Sequence, residues 1–456
     1  MRRSRLTFFL LVFLLVTSCS PTPPAGQMDV ITHPDGPLYI GDRVSFEVLA
    51  PNTTKAQDST VEVEFNGQAL GSASFSPFGI GGREQATLWW VWNTGDLKPG
   101  RYTLTFTSLP DNLTWSETVS LHPANRVPPP EPQAHWASTT TTCCILHYIT
   151  GTAAERDIAT LGQEADQQSA AVAAQLGSSL DTPIDLTFMP RVIGQGGFTT
   201  GSVYVSYLDR DYMGNEMPIL FHHEFVHFYD GLVGGDYRPS IFQEGLAVYL
   251  TGGHFKPEPL GPRAAALLNL GWYVPLTKVA DDFYNQQHDI GYLEAATLVK
   301  YLVETYGWEA FNEFYRSLPA PNGQTDSAVI DSGLRQHFGI SFADLETAYL
   351  NDLRAQPFTD DERTDLRLTV ELFDTVRRYQ KDLDPSAYFL TAWLPDGSVM
   401  RQRGIVADFL RHPNSWKNQL EESLLSRTQK ELFSGDYQAA ERDLKWTNWV
   451  STVITP

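Results

Sequence analysis

His223-Glu224-Phe225-Val226-His227 lies inside an apolar run, Ile219 to Tyr229, that suits a buried helix. Residues four apart share one helical face, so both imidazoles can reach a single ion. Glu224, between them, is placed to act on water as a general base. The HExxH spacing therefore predicts a Zn2+ site with His223 and His227 as ligands and Glu224 as the base. Two ordinary helical histidines would satisfy the same five letters, so the pentad needs a third ligand.

That ligand is sought downstream. Catalytic zinc of this kind takes three protein ligands and keeps one position open. Ile241-Phe242-Gln243-Glu244-Gly245-Leu246-Ala247-Val248-Tyr249 places one acid, Glu244, in an otherwise apolar helical segment. A buried carboxylate without a cation is costly. Between the two segments, Asp230 to Ser240 contains Gly231, Gly234, Gly235 and Pro239, a composition that turns the chain back on itself. Glu244 is the expected third ligand. Asp230, one turn after His227, either holds a ligand imidazole or sits exposed at the helix end.

HHEFVH followed by FQEGLAVY resembles the gluzincin branch of zinc metallopeptidases, and within it the peptidase MA-like domains, whose second motif reads roughly WxxEGxA. The match departs at Phe242, where the motif has Trp, and at Val248, where thermolysin-type enzymes carry an Asp. Ile290 to Leu302 is similar to the helix that follows the zinc motifs in alanyl-aminopeptidase-like gluzincins. The resemblance makes Tyr292 the donor that stabilises the oxyanion, with Tyr284 a rival. It implies a zincin-like α+β catalytic domain and a peptide or protein substrate. It also implies that the strand before the zinc helix, here Ser202 to Ser206, is the sheet edge that pairs with extended peptide. Those relatives bind the substrate amine through a Glu in Gly-x-Met-Glu-Asn. The comparable region here is Gly196-Gly197-Phe198-Thr199-Thr200-Gly201, and no Glu lies between Glu164 and Glu216. Internal cleavage is therefore expected, although Asp209 or Asp211 is available as a substitute.

Outward from this core, the N-terminus opens on Arg2, Arg3 and Arg5, then an apolar stretch, Leu6 to Val16, too short to span a bilayer. Val16-Thr17-Ser18-Cys19 resembles a bacterial lipobox, which implies lipidation at Cys19, a membrane anchor and an extracytoplasmic location. Residues 1–18 are then a signal peptide and 19–27 a Pro-rich tether. From 28 to 122, period-2 runs such as Val61-Glu62-Val63-Glu64-Phe65 alternate with turn signals and predict a small β-sandwich. Pro99-Gly100-Arg101-Tyr102 resembles a segment of immunoglobulin-like surface modules. A Pro-rich linker, 123–134, precedes the catalytic domain, 135–355, and a helical region occupies 356–456. Gly194-Gln195-Gly196-Gly197 reads as a loop, because no helix start follows.

The fold class is thus multidomain: an N-terminal β-sandwich, an α+β zincin-like domain and an all-α C-terminal region. With 456 residues, 42% of them hydrophobic, the chain can bury two or three cores. A net charge of -21 argues against nucleic acid as a partner. Cys143 and Cys144, adjacent in sequence, are two free thiols or a vicinal disulfide. The function these features predict is zinc-dependent hydrolysis of peptide bonds. The alternative is an inactive cell-surface binding protein on a peptidase-like scaffold, and hydrolysis of a non-peptide bond by the same site is a third reading.

Overall fold

The structure, a computed structural model, describes residues 28–453 except 52–55, 57, 79–82, 192–195, 211, 215, 385–386 and 388–396. The signal peptide, Cys19, Gly194, Gln195 and Asp211 lie outside the described residues.

Alternation builds the N-terminal part. In chain order its strands are β1 (Asp29–His33), β2 (Leu38–Tyr39), β3 (Arg43–Leu49), β4 (Thr60–Phe65), β5 (Gln68–Ser74), β6 (Ser76–Phe78), β7 (Arg83–Asn93), β8 (Gly100–Leu109) and β9 (Leu113–His122). In β4, Val61 and Val63 are buried while Glu62 and Glu64 are exposed, as a one-sided strand requires. The strands form two sheets, β1-β3-β7-β6 and β2-β9-β8-β4-β5. Phe46 and Trp92 of the first share one core with Val63, Leu104 and Phe106 of the second. This is a β-sandwich.

A second sheet-and-helix layer follows. It comprises β10 (Trp136–Thr140), β11 (Cys144–Ile149), α1 (Ala153–Leu176), β12 (Ile184–Met189), β13 (Gly197–Thr199), β14 (Val203–Ser206), α2 (Met217–Val233) and α3 (Ser240–Thr251). Cys143 and Cys144 are disulfide-bonded and buried at the start of β11. The sheet order is β10-β11-β12-β14-β13. β14 is parallel to β12 on one side, with Leu186 opposite Val203, and antiparallel to β13 on the other, with Phe198 opposite Tyr204. The expected edge strand is therefore not at the edge; β13 covers it. Three residues are too few to show alternation, and Gly196 and Gly201, both at positive φ, make the segment read as loop.

The rest is helical: α4 (Leu260–Asn269), α5 (Leu276–Asp281), α6 (His288–Tyr306), α7 (Trp308–Ser317), α8 (Asp326–Phe338), α9 (Phe342–Ala355), α10 (Asp360–Asp382), α11 (Gly397–Gln402), α12 (Ala407–Leu410), α13 (Trp416–Phe433) and α14 (Tyr437–Val453). A capping box between Thr359 and Glu362 starts α10. This helix places Leu366 and Val370 in the core around the zinc-motif helices, and Leu372, Phe373 and Val376 in a second core with α13 and α14. Among the described residues no helix is long and apolar enough to cross a membrane.

Candidate metal centre

α2 is buried along most of its length, with Phe221, Phe225 and Val226 fully enclosed. Pro218 suits its first turn, where a missing N–H costs nothing. The return to α3 uses Gly234 and Gly235 at positive φ. α3 then lies hard against α6: a Cβ on Gly245 would sit 2.5 Å from the Ala295 carbonyl oxygen. Glycine there lets the helix bring Glu244 beside the histidines.

The convergence is close. The Nε2 atoms of His223 and His227 are 3.0 Å apart. Glu244 Oε2 is 3.4 Å from the first and 3.1 Å from the second. Among the described residues this is the group of three His, Cys, Asp or Glu side chains placed to hold an ion. The triangle of these atoms has a circumradius of about 1.8 Å, so one point can lie at a zinc bond length of about 2.0–2.2 Å from all three. Glu244 Oε2 is buried and turned to the two imidazoles. Acceptor atoms collected in this way fit a cation.

Electrostatics agree with that fit. Burial alone would lower His227, but Glu244, Glu224 and Asp230 outweigh it and push the imidazole up to about 9. Burial would raise Glu244; the two histidines outweigh it and hold the carboxyl well below its usual range. The pocket thus favours positive charge, here a proton, at the point the three side chains share.

Glu224 is buried and not part of this triangle; burial raises its pKa. Its Oε2 accepts a hydrogen bond from Thr199 Oγ1 of β13 at 2.8 Å. His222 faces away, its ring nitrogens bonded to the side-chain amides of Gln168 and Gln175 on α1, both at 2.8 Å.

Asp230 is not exposed at the helix end. At 1% exposure it accepts from Tyr315 Oη (2.9 Å), Arg316 Nη2 (2.6 Å) and Arg238 Nη1 (3.3 Å). Arg316 also donates to the Asp230 and Gly234 carbonyl oxygens, covering the C-terminal end of α2. Nor does Asp230 hold an imidazole: among the described residues the Nδ1 atoms of His223 and His227 have no hydrogen-bond partner. Val248 is core.

The two tyrosines separate. Tyr284 Oη donates to Glu244 Oε1 at 2.8 Å. Tyr292 lies with its ring 6.2 Å from that of His223 and is stacked at 4.1 Å on His254. His254 and His288 complete this buried aromatic group; burial pushes His254 down to about 3. No motif marked either histidine in the sequence. Asp209 is engaged at the start of α1, accepting from the Ala153 N–H (2.6 Å) and from Arg156 Nη2 (2.9 Å).

No family model matches the chain, and no curated protein does. Among solved structures, an aminopeptidase N family protein from Idiomarina loihiensis is similar at 13% identity and a TM-score of 0.31, over 74% of this chain and 78% of that one. At that score the likeness decides neither fold nor chemistry, and the reading rests on the site itself.

Proposed function

We propose that the chain is a lipid-anchored, extracytoplasmic zinc metallopeptidase that cleaves peptide bonds internally. The observation that carries this is the convergence of His223, His227 and Glu244 on one point, with the separate acid Glu224 beside it. His223, His227 and Glu244 would hold Zn2+, which when bound supplies Lewis acidity that polarises a carbonyl and makes water acidic. Glu224 takes a proton from the attacking water and delivers it to the leaving amine. Tyr292, at the position the gluzincin resemblance assigns, donates to the oxyanion. Tyr284 orients Glu244 through its hydroxyl.

Internal cleavage is supported by the edge position of β13, which carries no acid. A free ammonium leaving water needs a carboxylate, and Asp209 is already paired. An extended chain added to this edge would pass the site without needing a terminus there. The test incubates the mature protein with a pool of random peptides, half of them N-acetylated, and reads the products by mass spectrometry. Chelator-sensitive cuts in both halves are expected. Cuts confined to free amines would overturn internal cleavage alone. No cuts from zinc-loaded protein would favour a binding protein on the same scaffold. For the anchor, Cys19→Ala should move the protein out of the membrane fraction or leave it uncleaved. Unlipidated wild-type protein would refute it.

A further inference from the structure

β13 does more than border the sheet. Thr199 Oγ1 donates to Glu224 Oε2 at 2.8 Å and also lies 3.1 Å from the Glu224 backbone oxygen. The other carboxylate oxygen, Oε1, packs against Gly197. A Cβ on that residue would meet it at 2.9 Å, and would meet the Tyr204 carbonyl oxygen at the same distance. One oxygen of Glu224 is thus held by a hydroxyl, and the other fits only where a side chain is missing.

Residue 198, between them, belongs to the opposite face. Phe198 stacks on Tyr204 with ring centroids 4.8 Å apart and planes 7° from parallel. It packs with Ile149, Met189, Met400 and Phe409. Alternation along three residues therefore gives β13 one apolar face that seats it on β14 and the C-terminal segment, and one small polar face turned to α2. The sequence Gly-Phe-Thr has the composition this division requires.

A glutamate has three side-chain torsions, and a base that wanders among rotamers spends little time aimed at water. We propose that Thr199 and Gly197 are positioning residues for the hydrolytic reaction, fixing the carboxylate of Glu224 from the edge strand. This rests on the reading of Glu224 as general base. Thr199 fixes the carboxylate by its hydroxyl and Gly197 by the clearance it leaves, and neither needs to touch substrate. The strand that an extended peptide would line is then also the strand that aims the base, so disturbing β13 disturbs both.

The test uses the full mature chain loaded with zinc and compares wild type with Thr199→Val, Thr199→Ser and Gly197→Ala. Four quantities are read: kcat and KM on one peptide the wild type cleaves, zinc per chain, and the orientation of Glu224 in a crystal structure of the Thr199→Val protein. The Val variant should lose about 10- to 100-fold in kcat, the worth of one hydrogen bond to a charged group. Its KM and zinc content should stay near wild type, and its Glu224 carboxylate should be turned from the wild-type orientation. Ser, which keeps the hydroxyl, should restore most of the rate, while Gly197→Ala should lower kcat by displacing Oε1. Should the Val variant not fold, Thr199→Ala makes the same comparison. Wild-type kcat in the Val variant, Ser behaving no better than Val, or an unmoved Glu224 would each overturn the proposal. If wild type cleaves no peptide, the peptidase reading fails on its own, and the orientation of Glu224 still decides whether Thr199 positions it.

Discussion

Asp230 sits one turn beyond His227 with Tyr315, Arg238 and Arg316 around its carboxylate. Removing one member of a buried charge group strands the others, at a cost of about 3–5 kcal/mol. Asp230→Ala should therefore lower unfolding stability by that amount in urea and loosen the end of the helix that carries His227. A variant as stable as wild type would show the network to be idle. At this scale the pentad was legible because its chemistry is written in one helical turn. The place of Asp230 was not legible because a polar residue after an apolar run usually meets water, and two of its three partners, Tyr315 and Arg316, lie far along the chain on α7. Thr199 was invisible for the same reason: its bond to Glu224 spans 25 positions and no local pattern encodes it.

Helices α2, α3 and α6 make the frame of the site, and Gly245 is where α3 packs directly on the backbone of α6. Any Cβ there collides with the backbone of Ala295, so Gly245→Ala should push α3 away from α6. A cost of about 1–3 kcal/mol is expected from such overpacking. Glu244 moves with its helix, so zinc affinity should fall as well. Thermal melts and zinc titration check both; a variant that melts and binds like wild type would contradict the close packing. The apolar run that makes α2 and the alternation that makes β4 were readable, because each is a local pattern of hydrophobic residues. β13 was not. Two of its three residues are Gly and Thr, which leaves Phe198 as its one apolar residue, and a single apolar residue shows no period.

Across the whole molecule, the short C-terminal segment around α12 lies between the sandwich and the sheet. Arg411 reaches Asp42 (2.7 Å) and Glu131 Oε2 (2.7 Å) and covers the ring of Tyr39. Arg191 donates to the Asp408 carbonyl oxygen at 2.8 Å. Asp408 itself is 2% exposed, and among the described residues neither of its carboxylate oxygens has a hydrogen-bond partner. Burial pushes its carboxyl up to about 7, against the pull of Arg191 and Arg411 and with the push of Asp42 and Glu131. The sign follows from the raised value. The protonated form is favoured in the folded state, so its stability is fully present below the unfolded pKa of about 4 and is lost as pH rises through about 7. Asp408→Asn should match wild type near pH 4 and exceed it at pH 8, by about 4 kcal/mol at most. Equal urea stabilities at pH 8 would contradict this. The architecture of sandwich, α+β layer and helices was legible in composition and period. Contacts of this segment were not, since they join residues 42, 131 and 411 and leave no periodic trace.

Metal content tests the central claim most directly. Protein purified without chelator should hold one zinc per chain in wild type and in Glu224→Gln, and close to none in His223→Ala and Glu244→Ala. Peptide hydrolysis should survive in wild type and fall about 10^2- to 10^4-fold in Glu224→Gln, whose metal is intact. Wild-type protein that takes up no zinc on dialysis against the ion, or Glu224→Gln that loses its zinc while Glu244→Ala keeps it, would contradict the account.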